Sequence, residues 1–154
     1  LDVTENKKGL MSATLIAKKI RDQIKEKTGL NASAGISVNK FIAKVASDVN
    51  KPNGQKTVPP EEVLQFLEDL DIRKFYGVGK VTAEKMYRLG IFNGKDLKSK
   101  TEEYLSEHFG KSGRHFYRVV RGIHHSEVKP HRTRKSLGAE RTFNDLLFSV
   151  LLND

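Results

Sequence analysis

The amino-acid sequence predicts an α+β fold: a short sheet with two helices, followed by an all-helical region. Three observations carry this expectation. Apolar residues recur with the period of a strand only before Pro59, they recur with the period of a helix on both sides of it, and glycines close the helical stretches. Of the 154 residues 37% are apolar, enough for a core in a chain of this length.

Leu1 to Thr4 alternates apolar and polar residues and is expected to be a short strand, with Glu5 to Gly9 as a loop. Ser12 is placed to cap a helix whose stripe is Leu15, Ile16, Ile20 and Ile24, and Gly29 ends it after a lysine-rich last turn. From Asn31 to Val38, the residues Ala32, Ala34, Ile36 and Val38 share one face and Ser33, Gly35 and Ser37 the other, as in a strand. A second helix is expected from about Asn39 to Val49. Phe41, Val45 and Val49 form its apolar stripe, while Lys40, Lys44 and Asp48 share another face. Pro52, Asn53 and Gly54 then turn the chain into a further short strand, Gln55 to Val58.

Beyond Pro59 the strand signal vanishes. Pro60 suits a first helical position, Glu61 and Glu62 suit the positive end of the helix dipole, and Val63, Leu64, Phe66, Leu67 and Leu70 supply a buried face. Ile72 to Phe75 is a short helical stretch. Helices are expected at about Val81 to Leu89, Thr101 to Phe109 and Ser112 to Gly122, stopped by Gly90, Gly110 and Gly122. Glu127 to Lys135 has the composition of an exposed linker. Ser136 to Phe143 is expected to start a strand of another domain, and Asn144 to cap the apolar stretch Leu146 to Leu152.

Charge narrows the function classes. The formal net charge is +9, the footprint of a protein that meets phosphate backbones. The surplus lies mainly in the first third: residues 1–59 carry 11 basic and 5 acidic side chains, against 12 and 10 in residues 60–126. Cysteine is absent, so a disulfide framework and thiolate chemistry are excluded and a reducing compartment is expected. The longest apolar runs are far short of the roughly 20 residues that span a bilayer, and no leader pattern opens the chain. Because it starts with Leu1 rather than Met, it is read as a piece of a longer protein.

The sharpest local motif is Tyr76-Gly77-Val78-Gly79-Lys80-Val81-Thr82-Ala83, between two helical stretches. Two glycines one residue apart let the backbone turn tightly and approach a ligand, and the first amides of the following helix can then bind an anion. That is the helix-hairpin-helix device for gripping a nucleic-acid phosphate without reading sequence, with Lys80 adding a cation. A GxGxxG nucleotide loop is excluded, since no strand precedes the motif and Thr82 stands where the third glycine belongs. The bland alternative is a glycine-rich helix connection without a ligand. A weaker element of the same type is Gly110-Lys111-Ser112-Gly113-Arg114, a second candidate grip on a duplex backbone. His108, His115, His124, His125 and His131 lack the spacing of a zinc site and are read as exposed loop and helix residues.

The third motif is Lys40-Phe41-Ile42-Ala43-Lys44-Val45-Ala46-Ser47-Asp48, followed by Asn50-Lys51-Pro52-Asn53-Gly54-Gln55 and preceded by Asn31-Ala32-Ser33-Ala34-Gly35-Ile36-Ser37. Together these closely resemble the palm of Y-family translesion DNA polymerases of the DinB, or DNA polymerase IV, branch. The glycine hairpin falls where that family's thumb has one, and Arg132-Thr133-Arg134-Lys135-Ser136-Leu137-Gly138 resembles its join to the little finger. The resemblance implies that residues 1–59 are the C-terminal part of a palm, 60–126 a helical thumb, 127–137 a linker and 138–154 the beginning of a little finger. It implies that Lys51 contacts the triphosphate of an incoming nucleotide. Read without it, Lys51 is a solvated turn lysine; within it, Lys40, Lys44 and Asp48 are a charged helix face that braces the palm and has no catalytic role.

The resemblance further implies a parent enzyme that transfers nucleotides to a primer 3′ end, with Mg2+ as cofactor and primer-template DNA and deoxynucleoside triphosphates as partners. A sliding clamp, a cytoplasmic location and a monomeric state are implied too. The family's metal-binding carboxylates, one Asp and an adjacent Asp-Glu pair, have no counterpart in this sequence, and Asp2 does not match one. No catalytic residue is therefore expected here, and the chain alone is expected to be inactive. The alternative is a non-catalytic helix-hairpin-helix DNA-binding module, which needs neither the palm pattern nor the Lys51 turn.

Overall fold

The computed structural model describes residues 1–6, 9–129, 131, 133 and 136–140. Its first half is a β-α-β unit with one further helix laid against it. Helix α1, Ala13–Thr28, starts at Ser12, whose hydroxyl accepts the Leu15 amide at 3.3 Å, and ends at Gly29 in the left-handed conformation. Strand β1, Ala34–Ile36, pairs in parallel with β2, Gln55–Thr57, in the register Ala34 opposite Gln55 and Ile36 opposite Thr57. Parallel strands need a crossover, and α2, Lys40–Val49, supplies it; the Asn39 side chain accepts the Ile42 amide to start that helix. Gly35 allows the sheet to touch the helix, because a Cβ there would lie 1.9 Å from the Ala43 carbonyl oxygen.

The second half is built from short helices. A 3₁₀ turn, Pro60–Glu62, leads into α3, Val63–Glu68, and a second turn, Ile72–Lys74, precedes α4, Lys80–Arg88. Then follow α5, Gly94–Lys98, α6, Glu102–Phe109, and α7, Lys111–Val119. Leu67, Ile72, Met86, Ile91, Leu97 and Leu105 are buried completely and share one apolar cluster with Phe41, Ile42, Val45 and Ala46 of α2. The core thus runs through α2 into the helical half. Asn39 also donates to the Gly122 carbonyl at 2.9 Å, and Lys40 to that of Glu127 at 2.6 Å.

Several expectations are corrected. Leu1 to Thr4 is not a strand: the Thr4 amide turns back onto the Asp2 carboxylate at 3.0 Å, and no neighbouring strand is present among the described residues. Alternation marks a candidate strand, but pairing makes one. Asn31 to Val38 contributes only three strand residues, and Val38 is exposed. Helix α5 was not expected. None of the α1 stripe is buried, and Leu15 is 55% exposed. Val49 and Leu64, expected inside, are exposed as well. Residues 136–140 carry no regular structure, while residues 141–143 of the expected strand, the Asn144 cap and Leu146 to Leu152 lie outside the described residues.

Candidate nucleic-acid and nucleotide-phosphate sites

The hairpin expected at Tyr76 to Lys80 is held from below by a small polar network. The Asp71 carboxylate accepts the Arg73 amide at 2.9 Å, the Arg73 guanidinium at 2.9 and 2.8 Å, and the Tyr87 hydroxyl at 3.1 Å. The Arg73 guanidinium beside it holds the Asp71 carboxyl well below the usual carboxylate range, against the opposing effect of burial. The Tyr87 ring stacks on Phe92, with centroids 5.5 Å apart. The turn closes where the Val78 amide donates to the Phe75 carbonyl at 3.0 Å.

The two glycines of the hairpin do different work. Gly77 has φ +94°, a conformation that other L residues rarely adopt. Gly79 is extended, at φ −81° and ψ 173°, and a Cβ there would meet nothing within 4 Å. It caps α4 and leaves no side chain over the helix start. The amides of Lys80, Val81 and Thr82 lie in the first turn, where no carbonyl of the same helix can reach them. Lys80 is exposed beside them and Val81 is 77% exposed. An anion meets donors, positive helix-dipole potential and a cation at one spot.

The second candidate grip is only partly of this kind. Gly110, at φ +59°, caps α7, and Lys111 and Arg114 are exposed. Gly113 is buried, and its amide already donates to the Gly110 carbonyl at 3.0 Å. A Cβ at Gly113 would lie 1.9 Å from the Leu105 carbonyl oxygen, so this glycine serves the contact between α6 and α7.

The Lys51 turn leaves the C-terminal end of α2. Lys51 is exposed and pairs with Asp48, which also accepts Lys44 at 2.8 Å. The two ammonium groups, Lys44 foremost, hold the Asp48 carboxyl below its ordinary range. Asn53 has φ +54°, and a Cβ at Gly54 would collide with the Asn50 carbonyl oxygen at 1.7 Å. The turn is therefore a tight corner that carries an exposed cation, paired with Asp48. Lys44 further lies 5.8 Å from the centre of the Tyr76 ring, which joins the charged face of α2 to the hairpin.

Two features escaped the sequence reading. His124 is half-buried, with its ring 6.0 Å from that of Phe41 and 6.3 Å from that of His115, at the seam between α2 and the helical half. Burial first, and then the charges of His115, Lys40 and His125, lower its pKa. The other is Arg21, which reaches from α1 to the Lys51 turn. The expected Mg2+ finds no fit here: among the described residues no three His, Asp or Glu side chains converge on a metal position. Asp48 is committed to two lysines and Asp2 to the Thr4 amide.

Comparison with known proteins agrees with this geometry. The impB/mucB/samB family matches residues 1–48, and the IMS family HHH motif matches residues 60–91, which contain the hairpin. DNA polymerase IV 2 of Agrobacterium fabrum is 59% identical over 154 residues, the whole of this chain and 42% of that protein. DNA polymerase IV of Listeria monocytogenes is 56% identical over 151 residues, 98% of this chain and again 42% of the relative. Among solved structures, a Y-family DNA polymerase chimera superposes with a TM-score of 0.78 at 33% identity, covering 88% of this chain and 40% of its own. DinB from Sulfolobus solfataricus gives 0.72 at 34%, covering 79% and 36%. The chain belongs to the Y family of DNA polymerases, as a partial palm followed by a helical thumb with a helix-hairpin-helix motif. Within that family it is a stretch of the DinB, or DNA polymerase IV, type, and it spans less than half the length of these relatives.

Proposed function

We propose that this chain is the part of a template-directed translesion DNA polymerase that grips the duplex and presents a cation to the incoming nucleotide. The observation that carries the reading is the joining of two phosphate-directed features by α2: the uncapped start of α4 beyond Gly79 and the solvent-facing Lys51. Residues 1–59 serve as palm, 60–126 as thumb, 127–137 as linker and 138–154 as the start of the little finger. Gly77 shapes the hairpin. The backbone at Gly79 and Lys80 donates to a DNA phosphate, with Lys80, Lys111 and Arg114 adding cations. Lys51 neutralises triphosphate charge as a point cation. Mg2+ would supply charge stabilisation for phosphoryl transfer, and its ligands lie outside the described residues. The parent protein works on primer-template DNA and deoxynucleoside triphosphates, with a sliding clamp, as a monomer in the cytoplasm, in DNA repair.

Contacts through amides and cations make duplex binding indifferent to sequence and steeply salt-dependent. Titrating the chain with primer-template duplex at several salt concentrations is the test; affinity that is flat with salt, or confined to one sequence, overturns the reading. In a full-length protein that contains this chain, Lys51→Ala raises the nucleotide KM and Gly79→Val raises the primer-template Kd. Because Gly79 has ordinary backbone angles and open space, the valine folds without strain and acts by covering the amides. The chain alone, given Mg2+ and all four nucleotides, extends no primer.

A further inference from the structure

We propose that Arg21 is the positioning residue of the Lys51 turn, a role that rests on the reading of Lys51 as a phosphate contact. Arg21 lies on α1, 30 positions before Lys51 in the chain. Its Nε donates to the Ala32 carbonyl at 2.9 Å. One terminal NH2 group donates both to the Asn53 carbonyl at 2.5 Å and to the Asn53 side-chain oxygen at 3.1 Å. A single planar group thus ties together α1, the approach to β1 and the corner of the turn.

The corner is where such a tie is needed. Asn53 holds a positive φ that an L residue rarely adopts. The neighbouring bonds flank it without touching it: the Gly54 amide donates to the Ser33 hydroxyl at 3.3 Å, and the Asn50 side chain donates to the Gln55 carbonyl at 2.8 Å. Among the described residues, both hydrogen bonds that Asn53 accepts come from Arg21. Lys51 stands two residues before that corner, so the direction in which it leaves α2 depends on how the corner is pinned. The rigid fork of a guanidinium can serve Ala32 and Asn53 together, whereas the compact ammonium of lysine cannot. Among the described residues Arg21 forms no ion pair, so its charge stays beside the turn; the clamp and the bare charge are distinct explanations that a lysine separates.

The test uses single-nucleotide insertion by the full-length polymerase that carries this chain. Arg21→Gln raises the nucleotide KM about tenfold while the primer-template Kd stays put, and Arg21→Lys, which keeps the charge, does not restore it. In a Lys51→Ala background Arg21→Gln adds nothing further, because the residue acts through Lys51; general destabilisation adds in both backgrounds. Should Arg21→Gln fail to fold, Asn53→Gly keeps the left-handed corner, removes only the side-chain acceptor, and raises KM less in the same direction. An unchanged KM, full rescue by lysine, or additivity with Lys51→Ala overturns the clamp. If Lys51→Ala itself leaves KM unchanged, the phosphate reading of the turn falls first and the clamp falls with it.

Discussion

The two halves of the molecule solve the problem of a core differently. Helix α1 runs for 16 residues with a regular apolar stripe and buries none of them completely. The helices of the second half have between 5 and 9 residues, and α3 to α7 each bury at least one. Helix length and periodicity therefore do not measure how much a helix contributes to stability. What counts is whether neighbours surround it: α3 to α7 wrap one another, whereas Ile16, Ile20 and Ile24 line an open cleft of about 1000 Å³.

Substitutions can break or sharpen that contrast. The largest effect is expected at Gly113, where any side chain strikes the Leu105 carbonyl: Gly113→Val should lose about 4 kcal/mol or more, read by urea unfolding. Leu105→Ala, which leaves a cavity in the same contact, should lose about 3 kcal/mol. At the seam between the halves, pH is the probe. Burial holds the folded pKa of His124 below its ordinary 6.5, so the unfolded chain takes up the proton first as pH falls. Stability is therefore full above 6.5 and declines below it, and His124→Phe should flatten that part of the thermal-denaturation profile. The smallest effect is expected on α1: Ile20→Ala should change stability by less than about 1 kcal/mol. A loss there as large as that of Leu105→Ala would mean that the α1 stripe is packed after all.

Local chemistry was legible from the residues alone. Ser12 and Gly29 mark the ends of α1, and the spacing of Gly77, Gly79 and Lys80 foretold a tight turn running into a helix. Signals that depend on distant partners were not. Leu1 to Thr4 alternates like a strand, but nothing in four residues says whether a neighbour will pair with them. Helix α5 hid because its five residues begin with Gly94 and bury a single large side chain, Leu97; the usable sign was Asn93 with Asp96, which form a reciprocal cap. Gly113 looked like Gly79 because a glycine near a helix start reads the same whether it clears space for a ligand or for another helix. Arg21 could not be found at all, since its contacts join positions 21, 32 and 53.

Helix α2 has a mechanical consequence. Its first half carries the links to the helical region: Asn39 to Gly122, Lys40 to Glu127, and Phe41 against Phe75, His115 and His124. The turn that bears Lys51 follows its far end. With ten residues it is a stiff rod of about 15 Å. Along its length it is seated on the sheet, where Gly35 lets it approach at Ala43 and Ser47, and its Ile42, Val45 and Ala46 are buried in the shared core. Helical region, sheet and Lys51 turn thus share one strut, and a change in how that strut is seated reaches all three.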